Sequence, residues 1–275
     1  MSETDPFRIR GHVPEFDVIS EGYRRVSDIA RRTWASQADI SYGPTTPERL
    51  DLFFPTNRTE AAPIHVFIHG GYWRANTKDD YAFVANTVCA AGSIAAVLGY
   101  GRLPEHRMSS LVGQVRRASH WLQANAASFG GDPLRMSASG HSAGAHLAFF
   151  LAARGHSEMS TPLAAVKSLL LVSGIYDLGP IATSFLQPEL QLNADEIAQW
   201  SPITSPSAPG SRLSIAVGGH ETLPFRDQAV ALGGTASPVV KPLLVEDANH
   251  MTIVRDMGIA GSAMGSVFRR FLCAA

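Results

Sequence analysis

Apolar residues in this chain gather into short runs of strand length, and the stretches between them have the length and composition of helices. Residues 50–54 alternate and stop at Pro55, which predicts an outer strand. Residues 64–68 predict a buried strand that breaks at Gly70-Gly71. Residues 94–98 predict another, followed by a Gly- and Pro-punctuated loop to Pro104 and a helix from about Met108 to Ala127. A turn over 129–133 returns the chain to the sheet, and further strands are expected over 166–172, 213–217 and 243–245. The stretch from Leu178 to Pro209 is rich in Pro and Ser, with a helix near 195–200, and is where a cap facing a substrate would sit. Residues 18–34 predict a helix outside the sheet, so that 1–40 form an N-terminal extension packed on a single domain of 41–275. This alternation is the pattern of a mostly parallel α/β sheet covered by helices on both faces.

Composition narrows the function classes. With 275 residues, 45% of them hydrophobic and 17% charged, the chain can bury one large core. A formal net charge of −1 offers no footprint for nucleic acid or an anionic membrane, and the arginines between Arg24 and Arg32 read as a solvated helix face. Cys89 and Cys273 are too few for a disulfide framework and lack metal spacing, which fits a reducing cytoplasm. The acidic, polar start Met1-Ser2-Glu3-Thr4-Asp5 is unlike a signal peptide, and no apolar stretch reaches the roughly 20 residues of a membrane span. Gly261 to Gly265 reads as close helix packing.

Chemistry enters at Gly140-His141-Ser142-Ala143-Gly144, a G-x-S-x-G nucleophile elbow. The chain leaves a strand, turns sharply and enters a helix, which lifts the Ser142 hydroxyl over the sheet edge. The lead-in 136–139 is less apolar than a buried parallel strand usually is, whereas the helix-favouring run that follows is expected to continue to Arg154-Gly155. His69-Gly70-Gly71-Tyr72-Trp73 follows the 64–68 strand and lies at the same sheet edge. Its position nominates the N–H groups of Gly71 and Tyr72, with that of Ala143, as an oxyanion hole.

Together these motifs resemble the α/β-hydrolase fold, and within it the arylformamidase (kynurenine formamidase) family. Lys78-Asp79-Asp80-Tyr81, the elbow extended to His146, and residues 171–178 are similar to that family's sequence, over roughly Leu50 to Val254. A serine needs a base oriented by a carboxylate, in the chain order serine, acid, histidine. His250, after the last strand, is the candidate base. The resemblance places the acid at Glu221, where the family usually carries aspartate; Asp247 and Asp177 are the alternatives, and Asp227 reads as a helix-surface residue. Trp73 is expected to border a substrate pocket or to pack in the core. His65 and His69, four apart on a strand with no third ligand, do not form a metal site, and His141 and His146 read as donors to backbone carbonyls. The resemblance implies a cofactor-free serine hydrolase acting on N-formyl-L-kynurenine or another aryl formamide. A carboxylesterase for small acyl esters, using the same machinery, is the close rival, and a non-catalytic ligand receptor on the same fold is the rival from a different class. The expected partner is a small-molecule substrate, with a homodimer as a candidate assembly.

Overall fold

The computed structural model describes residues 5–56, 61–163, 165–206 and 210–275. The acidic start at residues 1–4 and the end of the Pro/Ser stretch at 207–209 lie outside them. Among the described residues, eight strands form one sheet: β1 (Ala35–Ser41), β2 (Arg49–Phe54), β3 (Ala62–Ile68), β4 (Ile94–Leu98), β5 (Gly131–His141), β6 (Val166–Val172), β7 (Arg212–Gly218) and β8 (Leu243–Val245). Their order is β1-β2-β4-β3-β5-β6-β7-β8. β2 runs antiparallel to both β1 and β4, and the pairs from β4 to β8 are parallel. The helices are α1 (Phe16–Thr33), α2 (Ala85–Ala90), α3 (Met108–Asn125), α4 (Ala143–Phe149), α5 (Gln187–Leu190), α6 (Ala194–Trp200), α7 (Leu223–Thr235), α8 (Thr252–Met257) and α9 (Ala263–Cys273). α3 packs with α4 and α6, while α2 packs with α9, which also meets α8. None is long and apolar enough to cross a membrane.

The parallel strands follow from their side chains. Every residue of β4 is buried, as is β3 apart from Pro63, so aliphatic runs without alternation are what two covered faces require. From Met136 onward β5 carries serines and still lies inside, because His65 on β3 bridges them. Its Nδ1 lies 2.9 Å from Ser137 Oγ and its Nε2 2.7 Å from Ser139 Oγ, so the polar atoms of the two strands satisfy one another.

β2 is not the outer strand. β1 covers it, and the boundary expected between residues 40 and 41 falls within β1. Asp51 on β2 is fully buried and accepts from Arg31 Nη1 (2.7 Å), Lys78 Nζ (2.8 Å) and the Asp39 N–H (2.9 Å). Removing one partner of such a pair typically costs about 3–5 kcal/mol. Arg31, expected to be solvated, is paired with Asp51 on β2, which ties α1 to the sheet, and with Asp79; Arg24 stays largely exposed while reaching Asp80. α1 buries Ile19, Tyr23, Ser27 and Ala30 along one stripe, and the Tyr23 hydroxyl donates to the Met251 carbonyl at 2.5 Å.

α4 ends at Phe149, short of the expected Arg154-Gly155. The buried guanidinium of Arg116 donates to the carbonyls of Phe150 (2.9 Å) and Ala153 (2.8 Å), so a side chain rather than another helical turn satisfies them.

Burial holds several histidines neutral. It pushes His65 down to about 3 and His69 and His146 each to about 4. The unfolded chain takes up protons near pH 6.5 whereas the folded one refuses them, so this part of the stability is complete above about pH 6.5 and lost as pH falls toward 4 and 3. Each histidine contributes up to about 1.4 kcal/mol per pH unit in that window. Urea midpoints should therefore fall between pH 7 and pH 5, before most carboxylates titrate. A flat profile there would contradict the neutral assignment.

Candidate active site

Strand order aligns the candidate residues along one edge of the sheet. The loop after β3 carries Gly71 and Tyr72, β5 runs into Ser142, and β6, β7 and β8 are followed by Ser173, Glu221 and His250. Strands lie about 4.8 Å apart, so β8 is roughly 14 Å from β5 and its loop must fold back to reach the elbow. It does so. His141 Nε2–H, beside Ser142, donates to the His250 carbonyl at 2.9 Å, and the two rings lie 4.7 Å apart.

The elbow is strained and tightly packed. Ser142 has φ 55° and ψ −123°, a conformation rare for a residue with a Cβ, and is held by its N–H to the Val172 carbonyl at 2.9 Å. A Cβ on Gly140 would overlap the Gly144 carbonyl, and one on Gly144 would overlap the Ile68 carbonyl, so both glycines are needed for close approach. Ala143 opens α4, where its N–H has no intrahelical acceptor. In the facing loop Gly71 (φ 121°), Tyr72 (φ 50°) and Trp73 (φ 55°) follow one another in the left-handed region. Among the described residues, no backbone carbonyl accepts from the N–H of Gly71 or Tyr72.

Glu221 and His250 meet directly. His250 Nδ1–H donates to Glu221 Oε2 at 2.7 Å, which leaves Nε2 as the ring nitrogen not engaged by the carboxylate. The other carboxylate oxygen, Oε1, accepts from the Gly218 N–H at 3.0 Å and from the Ser173 hydroxyl. The Glu221 side chain is wholly buried. Phe225 packs on the His250 ring at 4.4 Å, and Asn249 Oδ1 takes the N–H groups of Met251 and Thr252, each at 2.9 Å, which fixes the loop. The alternative acids are placed otherwise: Asp247 is exposed, and Asp177 accepts from the Gly179 N–H at 2.9 Å. Asp227 is exposed on α7.

The Trp73 indole is fully buried and edge-on to His146, 5.0 Å away, beside α4. His141 and His146 donate to backbone carbonyls, His146 to that of Trp200 at 2.8 Å. His69 stacks on Tyr100 at 4.4 Å and bonds its neighbour's carbonyl, turned to a different task from His65. Among the described residues no cluster of His, Cys, Asp or Glu could hold a metal.

Two features of the site were not read from the sequence. Ser173 holds the Glu221 carboxylate from a left-handed backbone (φ 50°); it lies in the family-like block 171–178, but nothing there marks it as a partner of the acid. The other is the segment from Asp5 to Gly11, which lies across the site. The Pro6 carbonyl accepts from Thr222 Oγ1 at 2.9 Å, the Phe7 carbonyl from the Tyr72 hydroxyl at 2.6 Å, and the Phe7 ring meets Phe225 at 5.9 Å. Ser142 is 2% exposed and His250 5%.

Known proteins agree with this architecture. The BD-FAE family model matches residues 50–204. A kynurenine formamidase from Salmo salar is 30% identical over 261 residues, covering 90% of this chain and 84% of its own length. A kynurenine formamidase from Danio rerio is 29% identical over 226 residues, 80% of this chain and 73% of that one. Among solved structures, a proposed thioesterase from Silicibacter sp. tm1040 superposes with a TM-score of 0.82 at 22% identity, over 96% of this chain and 97% of that one.

Proposed function

Because the chain belongs to the BD-FAE family and is a hydrolase of the α/β-hydrolase fold, related to kynurenine formamidases over most of its length, we propose that it cleaves an aryl formamide such as N-formyl-L-kynurenine through an acyl-enzyme on Ser142. The observation that carries the mechanism is the buried Glu221–His250 bond, set beside an elbow whose serine is strained into place.

His250 Nε2 takes the Ser142 proton as Oγ attacks the formyl carbon. The N–H groups of Gly71, Tyr72 and Ala143 receive the developing oxyanion, each such donor being worth on the order of 10²–10³ in rate. As the tetrahedral intermediate collapses, the imidazolium protonates the departing aniline nitrogen, which leaves as the free amine. Water, deprotonated by the same imidazole, then attacks the formyl-enzyme and releases formate. Glu221 stabilises the imidazolium and fixes its tautomer, while Ser173 and the Gly218 N–H hold the carboxylate in position. No step calls for a cofactor.

Initial rates on N-formyl-L-kynurenine beside p-nitrophenyl acetate test the substrate class. A kcat/KM on the formamide well above that on the acetate is expected. Turnover of the acetate alone would assign an esterase that uses the same residues.

A further inference from the structure

Three loops of the site are joined by a segment that belongs to none of them. Pro6 and Phe7 precede α1, yet the Phe7 carbonyl accepts from the hydroxyl of Tyr72 in the candidate oxyanion loop, and the Pro6 carbonyl from the hydroxyl of Thr222, the neighbour of Glu221. The third loop is reached through rings. Phe7 is 4% exposed and stands edge-on to Phe225, whose own ring rests on that of His250. Asp5 fastens the segment in turn, since its Oδ1 accepts from the Phe7 N–H at 2.9 Å and its Oδ2 from the Phe185 N–H at 2.8 Å, in the stretch between β6 and β7.

Two of these contacts are more specific than packing alone requires. Thr222 occupies the N-cap of α7, where a threonine hydroxyl ordinarily accepts from an N–H of the first turn. It makes no such bond and donates to Pro6 instead. Tyr72 holds a left-handed backbone (φ 50°), which persists only where the surroundings fix it, and its hydroxyl meets the Phe7 carbonyl at 2.6 Å. A displacement of about 1 Å among reacting groups can cost on the order of 10²-fold in rate. A contact that fixes the oxyanion loop and the base together therefore has leverage on the rate without touching substrate.

We propose that Phe7 is a positioning residue: residues 5–7 form a strap that holds the His250 ring, through Phe225, and the Tyr72 loop at the separation that attack by Ser142 requires. The inference rests on Ser142 and His250 being nucleophile and base, and is independent of the acyl group. Saturable labelling of the full chain by a fluorophosphonate tests it whatever the substrate. In Phe7→Ala the rate at saturating probe should fall by about 10- to 100-fold, while the half-saturating concentration stays within about twofold and the protein melts in one cooperative transition. Phe7→Leu, which keeps an apolar side chain against Phe225, should retain most of the rate. Thr222→Val keeps the side chain's shape and breaks no cap bond, and should lose about threefold. Added to Phe7→Ala it should lose nothing more, because the strap is already released.

Full multiplication of the two losses, or a saturated rate unchanged in both single variants, would overturn the inference and leave the triad standing. If Phe7→Ala does not fold, Thr222→Val decides alone, and an unchanged rate there overturns the strap. Absence of any adduct on Ser142 in the unmodified protein would overturn the triad and the strap together.

Discussion

Glu221→Gln is expected to lower kcat by about 10⁴-fold while the fold survives. The reason lies in the hydrogen bonds. Oε1 accepts from both Ser173 and the Gly218 N–H, so a glutamine would keep its carbonyl oxygen there and turn its NH₂ toward His250. That NH₂ can only donate, so it would force the proton of His250 from Nδ1 to Nε2, the nitrogen that must take the Ser142 proton. Stopped assays of kcat together with thermal melts separate this from unfolding: the melt should hardly move while the rate collapses. Ser173→Ala probes the same carboxylate more gently, because it removes one of two donors to Oε1. Its rate loss should lie well below that of Glu221→Gln, with an altered pH dependence of kcat/KM. Equal loss in Ser173→Ala, Glu221→Gln and Asp247→Asn would mean that the acid has been misassigned.

Ser142→Ala has the larger expected effect, a loss on the order of 10⁶ in kcat, leaving the residual catalysis of the oxyanion hole and binding. Alanine keeps the Cβ and therefore the strain at φ 55°, so the substitution removes the hydroxyl with little change in packing. For that reason it is a better control than glycine, which would relax the elbow.

Much of this architecture is legible in the sequence because buried parallel strands are written as aliphatic runs, as in β4 and residues 169–172 of β6, and the order of the strands' C-terminal loops places Ser142, Glu221 and His250 along one edge. What escaped reading depends on partners distant in sequence. β1 is almost wholly exposed and polar, and it exists because β2 offers it an edge. The serines of β5 look too polar for a central strand until His65, 72 residues away from Ser137, is seen to satisfy them. The early end of α4 is dictated by Arg116 on α3. Trp73 reads equally well as pocket or core from its loop position, and only the fold brings it against His146. Phe7 carries no motif, and the block that holds Ser173 does not reveal its partner. Each becomes meaningful only when the fold brings it to Phe225 or to Glu221.

The central claim is that Ser142 is the nucleophile and His250 its base, and covalent trapping addresses it most directly. Incubation with a fluorophosphonate, followed by digestion and mass spectrometry, should place a single stoichiometric adduct on Ser142. Labelling should be abolished in Ser142→Ala and slowed by several orders of magnitude in His250→Ala. An adduct on any other residue, or labelling of the unmodified protein no faster than that of His250→Ala, would contradict the account.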